Sequence, residues 1–148
     1  FSGQADWTPI YEVKKTLKIP IIGNGDIYSP ETALNRLSTP DGSVTLDGIM
    51  IGRASFGNPW LLAEIYAKLH HQPEPPALSL PEKIPLIKEH LEISLQMKGE
   101  RYSTVEMRKH FGAYIKGFDG ASDFRQRIME SKTTKEIFSI LEEIEKAL

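Results

Sequence analysis

Two stretches decide the reading of this chain: Ile19-Pro20-Ile21-Ile22-Gly23-Asn24-Gly25-Asp26 and Asp47-Gly48-Ile49-Met50-Ile51-Gly52-Arg53. Each is a short apolar, β-branched run that ends on a glycine-bearing loop. Such runs suit strands of a parallel sheet buried on both faces. The segments around them carry helix signals. Ile10, Val13 and Leu17 share one helical face. Ser29-Pro30-Glu31 reads as an N-cap followed by proline in the first turn. Thr39-Pro40-Asp41-Gly42 is a turn, and Asn58-Pro59-Trp60 opens a helix running to about Leu69. The pattern is β-loop-α, twice. Two such units cannot close a sheet, so further strands from elsewhere are expected.

The remaining chain follows a different pattern. His70-His71-Gln72-Pro73-Glu74-Pro75-Pro76-Ala77 is rich in proline, and residues 71–79 read as a linker. Four helices are expected beyond it, over 80–97, 103–116, 122–131 and 134–147. Ser79, Ser103 and Thr133 each stand three residues before a glutamate, the signature of a capping box. Ile84, Ile87, Leu91 and Leu95 form one apolar stripe, and Ile137, Ile140, Leu141 and Ile144 another. The expected organisation is an α/β part over residues 1–70 and an all-α part over residues 80–148.

Composition narrows the chemistry. The 148 residues contain no cysteine, which excludes disulfides, thiolate metal sites and a cysteine nucleophile within this chain. No apolar run is long enough to span a membrane. The net charge of −2 offers no global field to a polyanion. Its distribution is uneven, however. Seven basic residues face four acidic ones between Lys98 and Arg127, whereas Glu136 to Leu148 holds four acidic residues and one basic residue. The paired His70 and His71 read as solvated, and no third metal ligand is suggested.

The two strand ends lie 29 residues apart, Gly23 to Gly52, as adjacent β–α units would. Glycines at such ends let backbone N–H groups approach an anion, and a Gly-Arg pair adds a guanidinium. Each loop alone reads equally well as a tight turn or a surface ion pair. Together they favour a phosphate site, such as the loops after the last two strands of a (β/α)₈ barrel provide. Arg108-Lys109-His110-Phe111-Gly112-Ala113-Tyr114-Ile115-Lys116 interleaves bases with rings, a pattern suited to RNA phosphates and stacking and also to an ordinary solvated helix. Trp7 either packs beneath a ligand or staples the helix that follows it.

Four ordered motifs carry a resemblance. They are Phe1-Ser2-Gly3-Gln4-Ala5-Asp6-Trp7, Ile22-Gly23-Asn24-Gly25-Asp26-Ile27, Met50-Ile51-Gly52-Arg53-Ala54 continuing to Gly57-Asn58-Pro59-Trp60, and Met107-Arg108-Lys109-His110 continuing to Tyr114, Lys116 and Gly117. From Phe1 to about Ile128 the chain resembles the C-terminal half of tRNA-dihydrouridine synthases, nearest their bacterial B-type branch. The resemblance implies an FMN-bearing TIM barrel followed by a helical RNA-binding domain, in a cytoplasmic oxidoreductase. Such enzymes reduce the 5,6 double bond of uridine in tRNA, with hydride from the flavin to C6, a proton from a cysteine to C5 and NADPH as reductant. It implies FMN-binding roles for Asn24, Gly25, Asp26, Gly52 and Arg53, and RNA contacts for Arg108, Lys109, His110, Tyr114 and Lys116. It places the cysteine and the remaining flavin contacts upstream of Phe1, so no catalytic residue is expected here. The chain would then hold the last two β–α units of the barrel and be inactive alone, and its uncovered strand edges predict that it either self-associates through its N-terminal half or keeps that half loosely ordered. Another FMN or sugar-phosphate barrel enzyme and a non-catalytic RNA-binding module are the competing readings.

Overall fold

Ser29 accepts the Thr32 N–H at 3.1 Å, while Thr32 Oγ1 accepts the Ser29 N–H at 3.0 Å. This reciprocal cap, with Pro30 at the first helical position, fixes where the second helix starts. The computed structural model describes residues 3–147. Its elements are α1 (Thr8–Thr16), β1 (Ile22–Asn24), α2 (Pro30–Leu37), β2 (Gly48–Met50), a 3₁₀ turn (Arg53–Ser55), α3 (Leu61–Leu69), α4 (Leu80–Lys98), α5 (Glu100–Glu106), α6 (Arg108–Tyr114), α7 (Ala121–Glu130) and α8 (Thr134–Ala147). They fall into two compact units, the first ending at Pro75 and the second beginning at Pro76.

In the first unit β1 and β2 pair in parallel, with Ile22 opposite Gly48, Gly23 opposite Ile49 and Asn24 opposite Met50. Asp47 locks their entry. Its carboxylate accepts the Ile21 N–H at 2.7 Å and Lys14 Nζ at 2.6 Å, and its own N–H donates to the Ile21 carbonyl at 3.1 Å. The core gathers Trp7, Tyr11, Ile27, Ala33, Val44, Leu46, Leu61 and Ile65. The turn at residues 39–43 closes on Asp41, which accepts from the Thr39 hydroxyl and from the Ser43 N–H and hydroxyl; these bonds, Thr39 first, hold its carboxyl down to about 2.

Two expectations fail in this unit. The strands are not buried on both faces: Ile22 is 65% and Met50 51% exposed, because nothing among the described residues packs on that side. Nor do Val13 and Leu17 form the inner face of α1, since both are exposed. The buried residue is Tyr11, whose hydroxyl donates to the carbonyls of Arg36 and Ser38 at 3.0 and 3.3 Å. A polar tip that finds partners within the unit outweighs the aliphatic periodicity.

The second unit buries the patterned stripes except at Leu95, which is only half-buried. Ile84, Ile87 and Leu91 of α4 are buried, as are Ile137, Ile140, Leu141 and Ile144 of α8, and α4 packs on α8. The capping boxes at Ser79 and Thr133 form: each glutamate side chain accepts a backbone N–H of the turn before it. The one expected at Ser103 does not. Gly99, at φ +75°, ends α4, and α5 starts directly after it. Ser103 therefore lies inside a helix, buried, accepting the Ser94 hydroxyl at 3.0 Å. The single helix expected over 103–116 is two short helices that meet at Met107.

Candidate functional site

Gly23 lies in β1 because no side chain fits there. A Cβ would stand 2.3 Å from Trp7 and 2.8 Å from Leu46. Trp7, 2% exposed, is wedged under the strand end, and its indole N–H donates to the Gly25 carbonyl at 3.0 Å. The Arg36 guanidinium also lies against the indole, 5.4 Å from the ring centroid. Trp7 thus packs beneath the Gly23–Gly25 loop and also against the helix that follows it, its ring centroid 6.2 Å from that of Tyr11. Gly25 has φ +146°, and a Cβ there would meet Ala5 at 2.6 Å, so turn and close approach both demand glycine. Asp26 follows in the left-handed region at φ +49°, where aspartate is among the more tolerant residues.

Asp26 is the polar hub. Its Oδ2 accepts the Ala5 N–H at 2.7 Å. Its Oδ1 accepts the Tyr28 hydroxyl at 2.6 Å and Arg53 Nη2 at 3.1 Å. The Tyr28 hydroxyl, then the Ala5 N–H and more weakly the Arg53 charge hold this carboxyl below the usual range, so it stays ionised. The same hydroxyl bond raises the titration of Tyr28.

The parallel register brings the loop after β2 beside the loop after β1. Gly52 and Arg53 thus join Asn24, Gly25, Asp26 and Tyr28 around one cleft of about 220 Å³. Ser55 ties down the Gly52 carbonyl with its N–H at 3.0 Å and its hydroxyl at 2.8 Å. A Cβ on Gly52 would meet nothing within 4 Å. The space that glycine leaves opens into the cleft, where a bound group would fill it. Arg53 is 67% exposed and projects beside that space. The donor set, a guanidinium and strand-end backbone around an open glycine, fits the phosphate of a nucleotide-like cofactor.

The five positions expected to face RNA do not act as one surface. Lys109 and Lys116 are exposed, Lys109 lying 3.7 Å from Glu106. Tyr114 is 7% exposed and its hydroxyl lies 3.1 Å from His90 Nδ1, so it cannot serve as a stacking platform. His110 packs edge-on to His90, with ring centroids 4.8 Å apart. Arg108 reaches across the unit to the Ser131 carbonyl at 3.2 Å. The cause is the helical stripe: Met107, Phe111, Tyr114 and Ile115 make the buried face, and the rings of the motif belong to it. Sequence reading missed Tyr28, two residues past the Asn-Gly-Asp loop, and His90, which sits beside Leu91 on the α4 stripe. That adjacency was the available signal.

The fold and cleft define an α/β unit with a candidate phosphate-binding mouth, joined in sequence to an all-α unit. The family model described as Dihydrouridine synthase (Dus) matches residues 1–148, and the chain belongs to that family. A probable tRNA-dihydrouridine synthase of Mycobacterium leprae is 33% identical over all of this chain and 38% of its own length. One of Rickettsia conorii is 38% identical over 84% of the chain and 37% of its length. A third, of Synechocystis, is 34% identical over 97% of the chain and 39% of its length. The chain thus spans less than two fifths of these curated relatives.

Proposed function

We propose that the chain forms the C-terminal portion of a flavin-dependent tRNA-dihydrouridine synthase, supplying the last two β–α units of an FMN-binding (β/α)₈ barrel and a helical tRNA-binding domain. The observation that carries the reading is the pair of adjacent parallel strand ends whose Asn24–Asp26 and Gly52–Arg53 loops line one cleft. Bound FMN would supply the hydride for C6 of the target uridine, with NADPH as the source of its electrons. The chain's own residues hold its phosphate. Gly52 leaves the space, Arg53 offers the charge, and Asp26 positions Arg53 while pinning the segment at Ala5 to the cleft. With no cysteine in the sequence, these residues bind and orient rather than deliver the proton to C5. No helix among the described residues is long and apolar enough to cross a membrane. The proposed workplace is the cytoplasm, where tRNA is modified.

Arg53→Ala tests the cofactor role. In the complete protein carrying this segment it should lower FMN retention about tenfold or more, the effect of removing one charge-assisted hydrogen bond to the phosphate. Retention equal to the parent would remove the phosphate role. In the isolated 148-residue chain the uncovered Ile22 and Met50 should drive self-association. Sedimentation equilibrium should show oligomers that Ile22→Lys disperses. A concentration-independent monomer would contradict this.

A further inference from the structure

Glu100 reaches out of the first turn of α5, and its Oε1 accepts the Thr134 N–H at 3.0 Å and the Thr134 hydroxyl at 3.1 Å. Beside that pair of bonds lies a groove of about 450 Å³. Its walls carry three cationic side chains: Arg101 and Arg108 from one side, and Lys132 from the turn before α8. Two carboxylates stand near them, and both are committed. Glu100 caps Thr134, and Glu136 accepts the N–H groups of Lys132 and Thr133 at 2.7 and 3.4 Å. Glu100 thereby satisfies the first N–H group of α8 and Glu136 those of the turn before it, and the attraction for an anion is argued from the side chains. Arg101 and Lys132 are exposed, and Arg108 forms no ion pair among the described residues. The Nε–H of Arg108 is buried without an acceptor, although its Nη2 is bonded to Ser131. A charged donor left unmatched in this way keeps an uncompensated desolvation cost.

We infer that this groove between α5 and the turn before α8 is a phosphodiester-binding site for a polynucleotide backbone, with Arg101, Arg108 and Lys132 as its contacts. Three cations that form no close salt bridge among the described residues, with Lys132 also within electrostatic reach of Glu136, line an open depression and suit a string of phosphates. The assignment deepens the RNA side of the function proposed above and moves the contact away from Lys109 and Lys116. It is independent of the flavin side, which Arg53→Ala tests separately.

The experiment is a titration of the 148-residue chain, read on the Arg108 Nε–Hε resonance and on the amides of Arg101 and Thr133. One arm adds a short single-stranded oligoribonucleotide and the other inorganic phosphate. The RNA should move all three resonances saturably. The double variant Arg101→Ala/Lys132→Ala should reduce the slope of log affinity against log salt by about 1.4, two phosphates at about 0.7 each. Both side chains are exposed, so the variant should fold, and an unchanged far-ultraviolet spectrum checks that. Lys116→Ala should leave the slope as it was. Three outcomes overturn the assignment: no movement with RNA, movement with inorganic phosphate alone, or a slope that falls with Lys116→Ala and not with the double variant.

Discussion

The two units solve different problems with similar numbers of residues. In the second, apolar side chains from α4, α6, α7 and α8 close on one another, and Ile84, Leu91, Phe111, Ile128 and Leu141 are wholly out of solvent. In the first, the core lies on one side of a two-stranded sheet, and the strand residues of the other side face outward. What keeps its loops in place is a few specific pieces: Trp7 beneath the sheet end, Asp47 at the strand entry and Asp26 at the exit. A closed core tolerates the removal of a surface interaction. A half-covered sheet built around a binding loop depends on individual residues, and the residues that shape its cleft are the ones that hold its shape.

The sharpest way to break this comparison is one large aromatic deletion in each unit. Trp7→Ala and Phe111→Ala should each cost about 3–5 kcal/mol, the range for emptying a buried aromatic site. Trp7→Ala also strands the Gly25 carbonyl. If each unit is held by its own core, amide exchange in Trp7→Ala should accelerate at Ile22–Asn24 and Gly48–Met50 while Ile137–Ile144 keeps its protection. Phe111→Ala should do the reverse. Uniform acceleration along the chain in both variants would show one cooperative structure and end the distinction.

A smaller effect is expected at Arg108, which links α6 to the end of α7 through the Ser131 carbonyl. Arg108→Ala should cost the second unit about 1 kcal/mol or less, one hydrogen bond to a charged group largely offset by the relief of its unmatched Nε–H. The expected result is a lower melting temperature together with a reduced salt slope for RNA. A lower melting temperature with the slope intact would make Arg108 a structural tie alone.

How far the sequence can be read follows the same divide. In the second unit the information is periodic and redundant, so the stripes on α4 and α8 and the caps at Ser79 and Thr133 are legible. Periodicity also explains the errors there. Arg108, His110 and Tyr114 read as outward because they are polar, yet their helix positions place Tyr114 on the Met107–Phe111 stripe. Gly99 and Gly112 show the limit of reading glycine alone: one ends a helix at φ +75°, and the other lies within α6. In the first unit the decisive facts are contacts between distant residues. The Trp7 indole on Gly25 and the Ala5 N–H on Asp26 span 18 and 21 residues, and no local pattern encodes them. The Gly-Asn-Gly-Asp and Gly-Arg loops are legible because the chemistry of close backbone approach leaves a glycine signature. Tyr28 is not, because a tyrosine two residues past a loop has no signature of its own.

The smallest effect is one of pH, and it should separate the units without any substitution. His90 and His110 titrate below the ordinary histidine value. Burial is the first cause for both, and for His110 the neighbouring His90 ring comes next. Lys98 pushes both the same way and Lys109 adds to the effect on His110, while the Glu106 carboxylate opposes it. The sign follows from proton counting. With folded values below the unfolded value of about 6.5, the unfolded chain binds more protons on the acid side, so stability increases with pH across that interval. The contribution is complete above about 6.5 and is lost as the pH falls through the depressed folded values. In the first unit the depressed groups include the carboxylates Asp26 and Asp47, whose contribution is lost only below about 4. Between pH 7 and 5 the melting temperature of the second unit should therefore fall by on the order of a few degrees, with Ile137–Ile144 losing amide protection and Ile22–Asn24 keeping it. His110→Gln leaves one titrating ring in the pair and should flatten the dependence. An equal fall in both units over that interval, or a slope unchanged by His110→Gln, would place the acid sensitivity outside the histidine pair.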